Sequence, residues 1–397
     1  MMGFSRLAAL PVLLTGCAAL LDRTPPAASL DEAPAHPVQA ASFVLTASDA
    51  ETGVGEVTVA VDDAEPTPLV ASEGVVRWTA EGLADGVHRF RFTVADGATF
   101  PNRTVVEAER TLDTTPPTLT WLPGSGVAHQ GRTWAAWVGA DEPLAEATLT
   151  VSARDDDGDV GERVTPMYAV GDAWRALRGI ELREELGPRP VVVQGTDLAG
   201  NVGRLETTVD VQQTEFEEGG YIKLSKKQVA ARRDEEGIAK MRADRNAAYA
   251  VVIPEQLWQG TFTRPVPEAR QTSPFGKYRS YSDGRKSYHT GLDLSDDRGT
   301  PVLAAAGGEV LVAHEMAIFG NVVILGHGQG VTTSYNHLDR IDVKEGERVT
   351  AGQPLGLLGS TGQSTGPHLH WGMEVAEVAV DPGEWLEDGF GAPAAEP

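Results

Sequence analysis

Short runs in which apolar and polar residues alternate recur along the chain after residue 40, and this pattern limits the possible folds more than any other feature. In a β-strand every second side chain lies on the same face, so such runs indicate strands with one buried face. Asp- and Gly-rich turns separate the runs, which is typical of β-sandwiches. The alternating apolar positions are Phe43, Leu45 and Ala47; Val57, Val59 and Val61; Phe90, Phe92 and Val94; and Leu149, Val151 and Ala153, followed later by a buried-type run at Val191-Val192-Val193. The pattern predicts a mainly β fold.

Two stretches with the same opening divide this part of the chain. Asp22–Pro26 and Asp113–Pro117 both have the sequence Asp-x-Thr-Pro-Pro, and they begin 91 residues apart. That offset is the size of one sandwich domain. Together with the Asp-Leu-Ala-Gly-Asn turn at 197–201, the openings resemble bacterial immunoglobulin-like (Ig-like) modules. The resemblance implies two Ig-like β-sandwiches, at 41–113 and 114–213, that act as a stalk, with binding to the cell wall or to a partner as the alternative.

The size and charge of the chain exclude several classes of protein. Its 397 residues are too many for one ordinary domain, and a hydrophobic content of 41% allows packed cores to form. The formal net charge of -24 at pH 7 repels phosphate backbones, so binding to nucleic acid is not expected. The sequence has no P-loop and no Gly-x-Gly-x-x-Gly motif, so nucleotide-binding proteins lack support.

The single cysteine, Cys17, closes a segment with the anatomy of an export signal. Arg6 supplies one positive charge, and the apolar run Leu7–Leu14 that follows is too short to span a bilayer comfortably. The sequence Leu-Thr-Gly-Cys that ends at Cys17 resembles a bacterial lipobox. This resemblance implies that residues 1–16 are a lipoprotein signal peptide and that Cys17 is acylated, and the alternative is an ordinary signal peptide. The Pro/Ala-rich composition after the cysteine predicts that residues 17–40 are the lipidated end and a flexible tether.

An acylated Cys17 would place the protein at a membrane. Each acyl methylene buried in a bilayer contributes roughly 0.8 kcal/mol, so two or three chains anchor a protein firmly. We expect an exported protein that is lipid-anchored at the cell envelope through Cys17. Ala18 follows the cysteine, and this favours the outer membrane, facing the periplasm, in a Gram-negative cell.

Residues 214–250 differ in composition from the stretches on either side. Ser225-Lys226-Lys227-Gln228 has the pattern of a capping box, in which Ser225 caps a helix and Gln228 reaches back to the backbone. The residues that follow, 229–250, are rich in Ala, Arg, Glu and Lys, which favours a charged surface helix weakened by Gly237. We interpret the segment as a charged helical connector.

The C-terminal part of the chain is rich in Gly and Val, and it holds the residues that can carry chemistry. His289 and Asp293 are four residues apart, and either a helix or a loop followed by a strand lets both reach one metal ion. His368 and His370 occupy positions i and i+2, so a strand places both on one face. Two imidazoles on one face need partners, and a metal for one and a reacting group for the other would satisfy both. His337 lies in a further segment of alternating residues.

Two histidines and one carboxylate are a typical catalytic zinc site, with the fourth position left for water. Bound zinc lowers the pKa of that water to about 7, and it polarises a carbonyl group. Further imidazoles nearby can move protons or stabilise a developing oxyanion. The C-terminal part of the chain therefore contains every component that metal-assisted hydrolysis needs.

From about Trp258 to Leu386 the sequence resembles the lysostaphin/LytM-type zinc metallopeptidases, and residues 251–397 are accordingly predicted to be a β-rich zinc metallopeptidase domain. The ordered set of motifs is specific, whereas any one of them alone would be weak. The motifs are Phe275-Gly276, His289-x-x-x-Asp293, Gly299–Val302, Gly308–Val310, Gly320–Ile324, Tyr335–Leu338, Val343-x-x-Gly346-x-x-Val349-x-x-Gly352, Gly359–Gly362, Gly366–His370 and Val380–Pro382.

The resemblance implies a role for each of five residues. His289, Asp293 and His370 would bind Zn2+, and His337 and His368 would be the catalytic pair. It also implies that the protein is an endopeptidase that hydrolyses peptide bonds in the stem peptides or crossbridges of bacterial peptidoglycan. None of the five positions departs from the family pattern.

Two other functions remain open from the sequence. In the first, the C-terminal domain binds peptidoglycan or activates a partner amidase of the cell envelope without cutting any bond. In the second, the protein is an adhesin whose function lies in the Ig-like modules. Loss of hydrolysis on substitution of the five residues would distinguish the enzyme from the first alternative. Binding to the cell wall that survives deletion of everything after Ala250 would favour the second.

Overall fold

The computed structural model describes residues 22–154 and 160–393. The predicted signal peptide and the predicted acylation site at Cys17 lie outside the described residues. Within the described ranges, no helix is both long and apolar enough to cross a membrane. The chain divides into two compact units, one of which runs to Pro117 and includes Thr196–Val202, whereas the other comprises Thr118–Gly195 and Gly203–Pro397.

Strands account for 50% of the residues and helices for 6%, so the predicted mainly β fold class is confirmed. The strands before residue 215 are β1 Ala27–Leu30, β2 Ser42–Ser48, β3 Val54–Val61, β4 Thr67–Leu69, β5 Val75–Thr79, β6 Gly86–Asp96, β7 Arg103–Leu112, β8 Leu119–Trp121, β9 Val127–His129, β10 Thr133–Ala140, β11 Leu144–Arg154, β12 Val160–Val170, β13 Ala173–Gly179, β14 Gly187–Asp197 and β15 Val202–Gln212. The later strands are β16 Glu218–Ile222, β17 Arg270–Ser273, β18 Tyr278–Tyr281, β19 Lys286–Tyr288, β20 Gly291–Ser295, β21 Pro301–Leu303, β22 Gly308–Met316, β23 Gly320–Gly328, β24 Val331–Leu338, β25 Arg340–Ile341, β26 Arg348–Val349, β27 Pro354–Leu357, β28 Leu369–Val375 and β29 Val378–Ala379. The helices are α1 Lys226–Ala231, α2 Glu235–Tyr249 and a 3-10 turn at Glu384–Leu386.

The first unit consists of two antiparallel sheets that share one hydrophobic core. Their strand orders are β1-β2-β5 and β4-β3-β6-β7. Phe43 of β2 packs against Phe90 and Phe92 of β6, with ring centroids 4.7 and 5.1 Å apart, respectively. Phe43, Phe90 and Phe92 are all buried, so the predicted alternation in these strands is confirmed.

The prediction of a flexible tether over residues 17–40 is wrong for part of that segment. Residues 27–30 form β1, which pairs antiparallel with β2 from Ala27↔Ser48 to Leu30↔Leu45. Ala28 and Leu30 pack against the core of the first unit. The Pro/Ala-rich composition of the segment gave no sign of these two apolar contacts, which stabilise the strand.

In the second unit, one sheet has the strand order β8-β10-β13-β12-β11-β14-β15-β9, and its core includes Trp134, Leu149 and Val191. This sheet packs directly against the C-terminal strands of the same unit. Trp385 donates its indole hydrogen to Thr133 Oγ1 at 2.9 Å. Glu384 accepts a hydrogen bond from the backbone nitrogen of Thr133 at 2.7 Å. These contacts join the sheet and the C-terminal domain into one compact unit.

The connector contains the predicted capping box but not the predicted single helix. The backbone nitrogen of Ser225 donates to Gln228 Oε1 at 2.7 Å, and the nitrogen of Gln228 donates to Ser225 Oγ at 3.3 Å, so the capping box is confirmed. The helix expected over 229–250 is instead split into α1 and α2, and residues 218–222 form a strand. Asp234 explains the break, because its side chain accepts a hydrogen bond from the nitrogen of Gly237 at 3.0 Å and so begins a second helix.

The C-terminal domain is built around one large sheet with the strand order β17-β20-β28-β24-β23-β22-β26. Its core contains Trp258, Tyr335, Trp371 and Trp385, all of which are fully buried. The adjacent strands β20, β28 and β24 provide or adjoin all five residues that the sequence singled out. This sheet therefore positions the candidate site.

Candidate metal centre

Three side-chain atoms converge in the C-terminal domain. His289 Nε2 lies 2.9 Å from Asp293 Oδ1 and 3.0 Å from His370 Nδ1, and the third side of the triangle, from His370 Nδ1 to Asp293 Oδ1, measures 3.1 Å. Donor atoms bound to one tetrahedral zinc ion at about 2.0–2.1 Å would lie about 3.3 Å apart. The three atoms are thus within a few tenths of an ångström of the separation that zinc requires.

Strand pairing creates this convergence. Asp293 of β20 lies directly opposite His370 of β28 in antiparallel register, so their side chains are on the same face of the sheet. His289 precedes β20 and reaches the same point. Gly291 makes room for the His370 ring, because a Cβ atom at this position would lie 2.8 Å from His370 Cε1 and 2.5 Å from the carbonyl oxygen of Trp371.

Hydrogen bonds to the outer atoms fix the orientation of two of the three side chains. His289 Nδ1 lies 2.7 Å from the carbonyl oxygen of Pro274, which can only accept, so Nδ1 carries the proton and Nε2 presents a lone pair. Asp293 Oδ2 accepts a hydrogen bond from Arg279 Nη2 at 2.7 Å. The same Nη2 donates to Ser273 Oγ at 2.6 Å. Oδ1 of Asp293 is therefore the oxygen that remains for a cation.

The chemistry of these donors fits a metal ion. His289 Nε2 and Asp293 Oδ1 are both hydrogen-bond acceptors. A proton on His370 Nδ1 would give the cluster only one donor, so hydrogen bonds alone do not account for all three short contacts. Burial alone would raise the pKa of Asp293, but its interactions with His289 and His370 lower it below its usual range. Burial lowers the pKa of His370. A carboxylate and neutral imidazoles are the protonation states that metal binding needs.

His337 and His368 lie beside this cluster. Their ring centroids are 4.9 Å apart, and the centroids of His337 and His370 are 6.3 Å apart. His368 Nε2 lies 3.8 Å from Asp293 Oδ1. The structure thus brings all five predicted residues together, whereas the roles of the five remain predictions.

Backbone carbonyl groups also fix the tautomers of these two histidines. His337 Nδ1 lies 2.9 Å from the carbonyl oxygen of Thr361, and His368 Nδ1 lies 2.8 Å from that of Gly366. In both rings Nδ1 must therefore carry the proton, and Nε2 is left as the basic nitrogen. Burial, with the nearby charges of His368 and His370, lowers the pKa of His337 to about 3.

A β-bulge directs His337 towards the groove. In the pairing of β23 with β24, Val323 faces Tyr335 and Asn321 faces Leu338, so two residues of β24 oppose one residue of β23. His337 adopts a φ angle of 67°, which is uncommon for a residue other than glycine. Strict alternation would place His337 on the same face as Tyr335, which is fully buried in the core. Bulges redirect side chains in this way near functional sites.

The five residues line a groove with a volume of about 480 Å³. Its wall also includes residues from the connector, among them Gln228 and Arg232. The side-chain nitrogen of Gln228 donates to the carbonyl oxygen of Ser364 at 3.0 Å, and that of Gln363 donates to the carbonyl oxygen of Gln228 at 2.8 Å. The connector is therefore part of the site and does more than join two domains.

Sequence reasoning missed Arg279 and the groove residues of the connector. Arg279 alternates with Tyr281 on β18, and no local pattern links it to Asp293, which is 14 residues away. The one available signal for this ion pair was that Arg279 is a basic residue close in sequence to Asp293, a predicted metal ligand, in an acidic chain. The ion pair forms because the folded chain brings Arg279 next to the carboxylate of Asp293.

Residues 287–382, which include all five site residues, match the model of Peptidase family M23. The chain contains a Peptidase family M23 domain. Zinc is the cofactor of such a domain, in agreement with the donor set. This match confirms the resemblance seen in the sequence, whereas the Ig-like modules and the lipoprotein signal remain predictions.

The similarity to individual proteins extends over only about a third of the chain. The chain is 41% identical over 140 residues to a protein of Haemophilus influenzae named an uncharacterized metalloprotease, a match that covers 34% of this chain and 30% of that protein. It is 40% identical over 120 residues to the peptidoglycan DD-endopeptidase ShyB of Vibrio cholerae, covering 30% of this chain and 28% of ShyB. The catalytic domain of lysostaphin from Staphylococcus simulans is 32% identical, with 32% of this chain and 99% of that domain covered and a TM-score of 0.30.

The chain spans less than a third of the length of the two curated relatives, 30% and 28%. The match to the M23 domain therefore does not establish that this protein shares the activities of those relatives as whole proteins.

Proposed function

We propose that this protein is a zinc metalloendopeptidase that hydrolyses peptide bonds in bacterial peptidoglycan. The observation that carries the proposal is the convergence of His289 Nε2, Asp293 Oδ1 and His370 Nδ1 beside two further imidazoles in one groove. Support for the substrate comes from relatives that are named peptidoglycan DD-endopeptidases, such as ShyB.

In this proposal His289, Asp293 and His370 hold the zinc ion. When bound, zinc makes a water molecule acidic, with a pKa of about 7, and polarises the scissile carbonyl group. Arg279 holds Asp293 through its second oxygen, so that the carboxylate cannot rotate away from the two imidazoles. Gly291 keeps the space that the ring of His370 occupies.

His337 and His368 provide the proton transfers. The carbonyl groups of Thr361 and Gly366 hold the Nδ1 protons, so each Nε2 can accept a proton from the attacking water and return it to the leaving amine. An imidazole that has accepted a proton can also donate a hydrogen bond to the oxyanion. Because burial and neighbouring charges lower the pKa of His337 to about 3, this ring holds an additional proton only briefly.

The cell envelope is the place where this activity would be used. We propose that the protein is exported and anchored through an acyl group on Cys17. A Cys17→Ser variant should then move from the membrane fraction to the soluble fraction of the envelope, as measured by immunoblotting after fractionation. An unchanged distribution of the variant would exclude the anchor without affecting the peptidase proposal.

Digestion of isolated peptidoglycan tests the activity. Wild-type protein with zinc should release fragments with new amine termini, and mass spectrometry should identify the bond that is cut. The His368→Ala variant should bind zinc but release no fragments, because His368 is not among the three ligands. If wild type and variant both bind peptidoglycan and neither cuts it, the protein is instead a peptidoglycan-binding or amidase-activating component.

A further inference from the structure

Two arginine side chains in the groove pack against the same tyrosine. The guanidinium carbon of Arg285 lies 3.9 Å from the centroid of the Tyr281 ring, and that of Arg232 lies 5.4 Å from it. Arg285 lies in the turn between β18 and β19, whereas Arg232 follows α1 in the connector. All three residues line the groove that contains the candidate metal ligands.

These arginines have buried donor atoms with no partner. Among the described residues, Nε of Arg232 and both Nε and Nη2 of Arg285 are buried and form no hydrogen bond. Burying a donor without an acceptor is costly, and the cost is larger for a charged group. Burial lowers the pKa of Arg232, and the charge of Arg285 lowers it further, so the two cations also repel each other.

Other cations in the groove do have acidic partners. Arg279 pairs with Asp293 at 2.7 Å, and Lys277 pairs with Glu217 at 2.9 Å. Asp283 is the acid nearest in sequence to Arg285, but it is exposed and accepts a hydrogen bond from the backbone nitrogen of Arg285. Neither Arg232 nor Arg285 forms an ion pair in the described ranges, although both are only partly exposed and the chain has a net charge of -24.

We propose that Arg232 and Arg285, packed against Tyr281, form a subsite that binds a free carboxylate of the peptide substrate. This proposal rests on the proposed function and adds a specificity determinant to it. Guanidinium groups bind carboxylates through parallel, charge-assisted hydrogen bonds, and the unpartnered nitrogens are the donors such bonds need. The carboxylate would supply the missing acceptors and separate the two positive charges.

The subsite lies in the same groove as the metal centre, so it can select among peptide substrates. An extended peptide can reach both. Arg232 and Arg285 both lie outside residues 287–382, which match the M23 family model. The connector that supplies Arg232 is held to the groove by the hydrogen bonds between Gln228 and residues 363–364. The subsite is thus a feature of this chain that lies outside the family match.

The carboxylate has two possible sources in a cross-linked peptide, namely the chain terminus and an acidic side chain. Soluble peptidoglycan fragments with one cross-link distinguish them when they are prepared in three forms. In one form all carboxylates are free, in the second the C-terminal carboxylates are amides, and in the third the side-chain carboxylates are amides. We expect one of the two amidated forms to have a KM about tenfold or more above that of the free form, with little change in kcat.

Charge-removing variants of the full chain provide the second half of the test. Arg232→Gln and Arg285→Gln should each raise KM for the free fragment by about tenfold or more, and should leave the sensitive amidated fragment almost unaffected. Arg340→Gln is the matched control, because Arg340 is exposed, pairs with Asp342 and does not line the groove. Equal KM values for all three fragments with the wild-type protein would overturn the subsite, whatever the variants do.

A binding measurement separates this proposal from the peptidase proposal. In the His368→Ala background, calorimetry with the same three fragments reports affinity without hydrolysis. Affinity that depends on one carboxylate and is lost with Arg285→Gln supports the subsite even if the wild-type protein cuts no fragment. Affinity that is independent of every carboxylate overturns it even if the peptidase proposal is correct.

Discussion

Asp293 and His370 lie directly opposite each other on the antiparallel strands β20 and β28, and Asp293 Oδ1 is 3.1 Å from His370 Nδ1. Because strand pairing fixes the distance between opposite residues, the two ligands from distant parts of the sequence are held in place by the backbone of the sheet. His289 then completes a three-atom cluster. The candidate metal centre is therefore a rigid part of the domain.

Replacing a ligand should remove the metal. His370→Ala and Asp293→Ala each leave two donors, so zinc affinity should fall by at least about a hundredfold in each variant. Isothermal titration of zinc into metal-free protein measures this. His314→Ala is a suitable control, because His314 pairs with Asp244 and Glu345 away from the cluster. Equal loss of affinity in the control, or none in the ligand variants, would contradict the assignment.

Arg279 should act through Asp293. An Arg279→Gln variant loses the ion pair to Asp293 Oδ2, and we expect zinc affinity to fall by about 10- to 100-fold without loss of the fold. Arg279→Lys, which keeps the charge, should recover part of the affinity. Lys286→Gln on the neighbouring strand β19 removes one exposed positive charge and should have no effect. If Lys286→Gln weakens zinc binding equally, the effect reflects total charge instead of the contact.

Gly291 should tolerate no side chain. The Cβ atom of Gly291→Ala would lie 2.5 Å from the carbonyl oxygen of Trp371 and 2.8 Å from His370 Cε1, so the paired strands or the His370 ring must move. We expect a loss of about 1–3 kcal/mol in the free energy of unfolding, together with weaker zinc binding. Gly126→Ala, where a Cβ atom would have nothing within 4 Å, is the control. Chemical denaturation with and without zinc would separate the two effects.

The burial of Glu384 should make stability depend on pH. Burial raises the pKa of Glu384 from 4.5 to about 8. Since the folded state then holds the proton more tightly than the unfolded state, this contribution to stability is complete below about pH 4.5 and is lost as the pH rises through about 8. Glu384→Gln, which mimics the protonated form, should flatten the fall in Tm between pH 5 and pH 9. The exposed Glu387→Gln should leave the slope unchanged, and an equally steep slope in both variants would exclude Glu384 as its cause.

Local patterns predicted a large part of this structure. The alternation at Phe43, Leu45 and Ala47 identified a strand and its buried face, because packing on one side leaves a period of two in the sequence. The capping box at Ser225 and Gln228 was also visible, since its two hydrogen bonds join residues three positions apart.

Features that depend on contacts between distant residues were not predictable in this way. The orientation of His337 depends on a register shift against β23, and alternation alone would have placed its ring in the core. Arg279 and Arg232 belong to the groove because the fold brings β18 and the connector beside β20, and neither arginine lies in a motif. The break before Asp234 was missed because helix-forming residues on both sides outweighed one capping residue.

Restoring activity with a defined amount of zinc is the most direct test of the central claim. The protein without its predicted signal peptide is first stripped of metal with a chelator. Zinc is then added back in steps, and cleavage of a cross-linked peptidoglycan fragment is followed by mass spectrometry. The account predicts no cleavage without metal, a linear rise up to one zinc per chain, and no cleavage at any zinc level for His370→Ala. Cleavage that persists in the stripped protein, or that survives in His370→Ala, would contradict it.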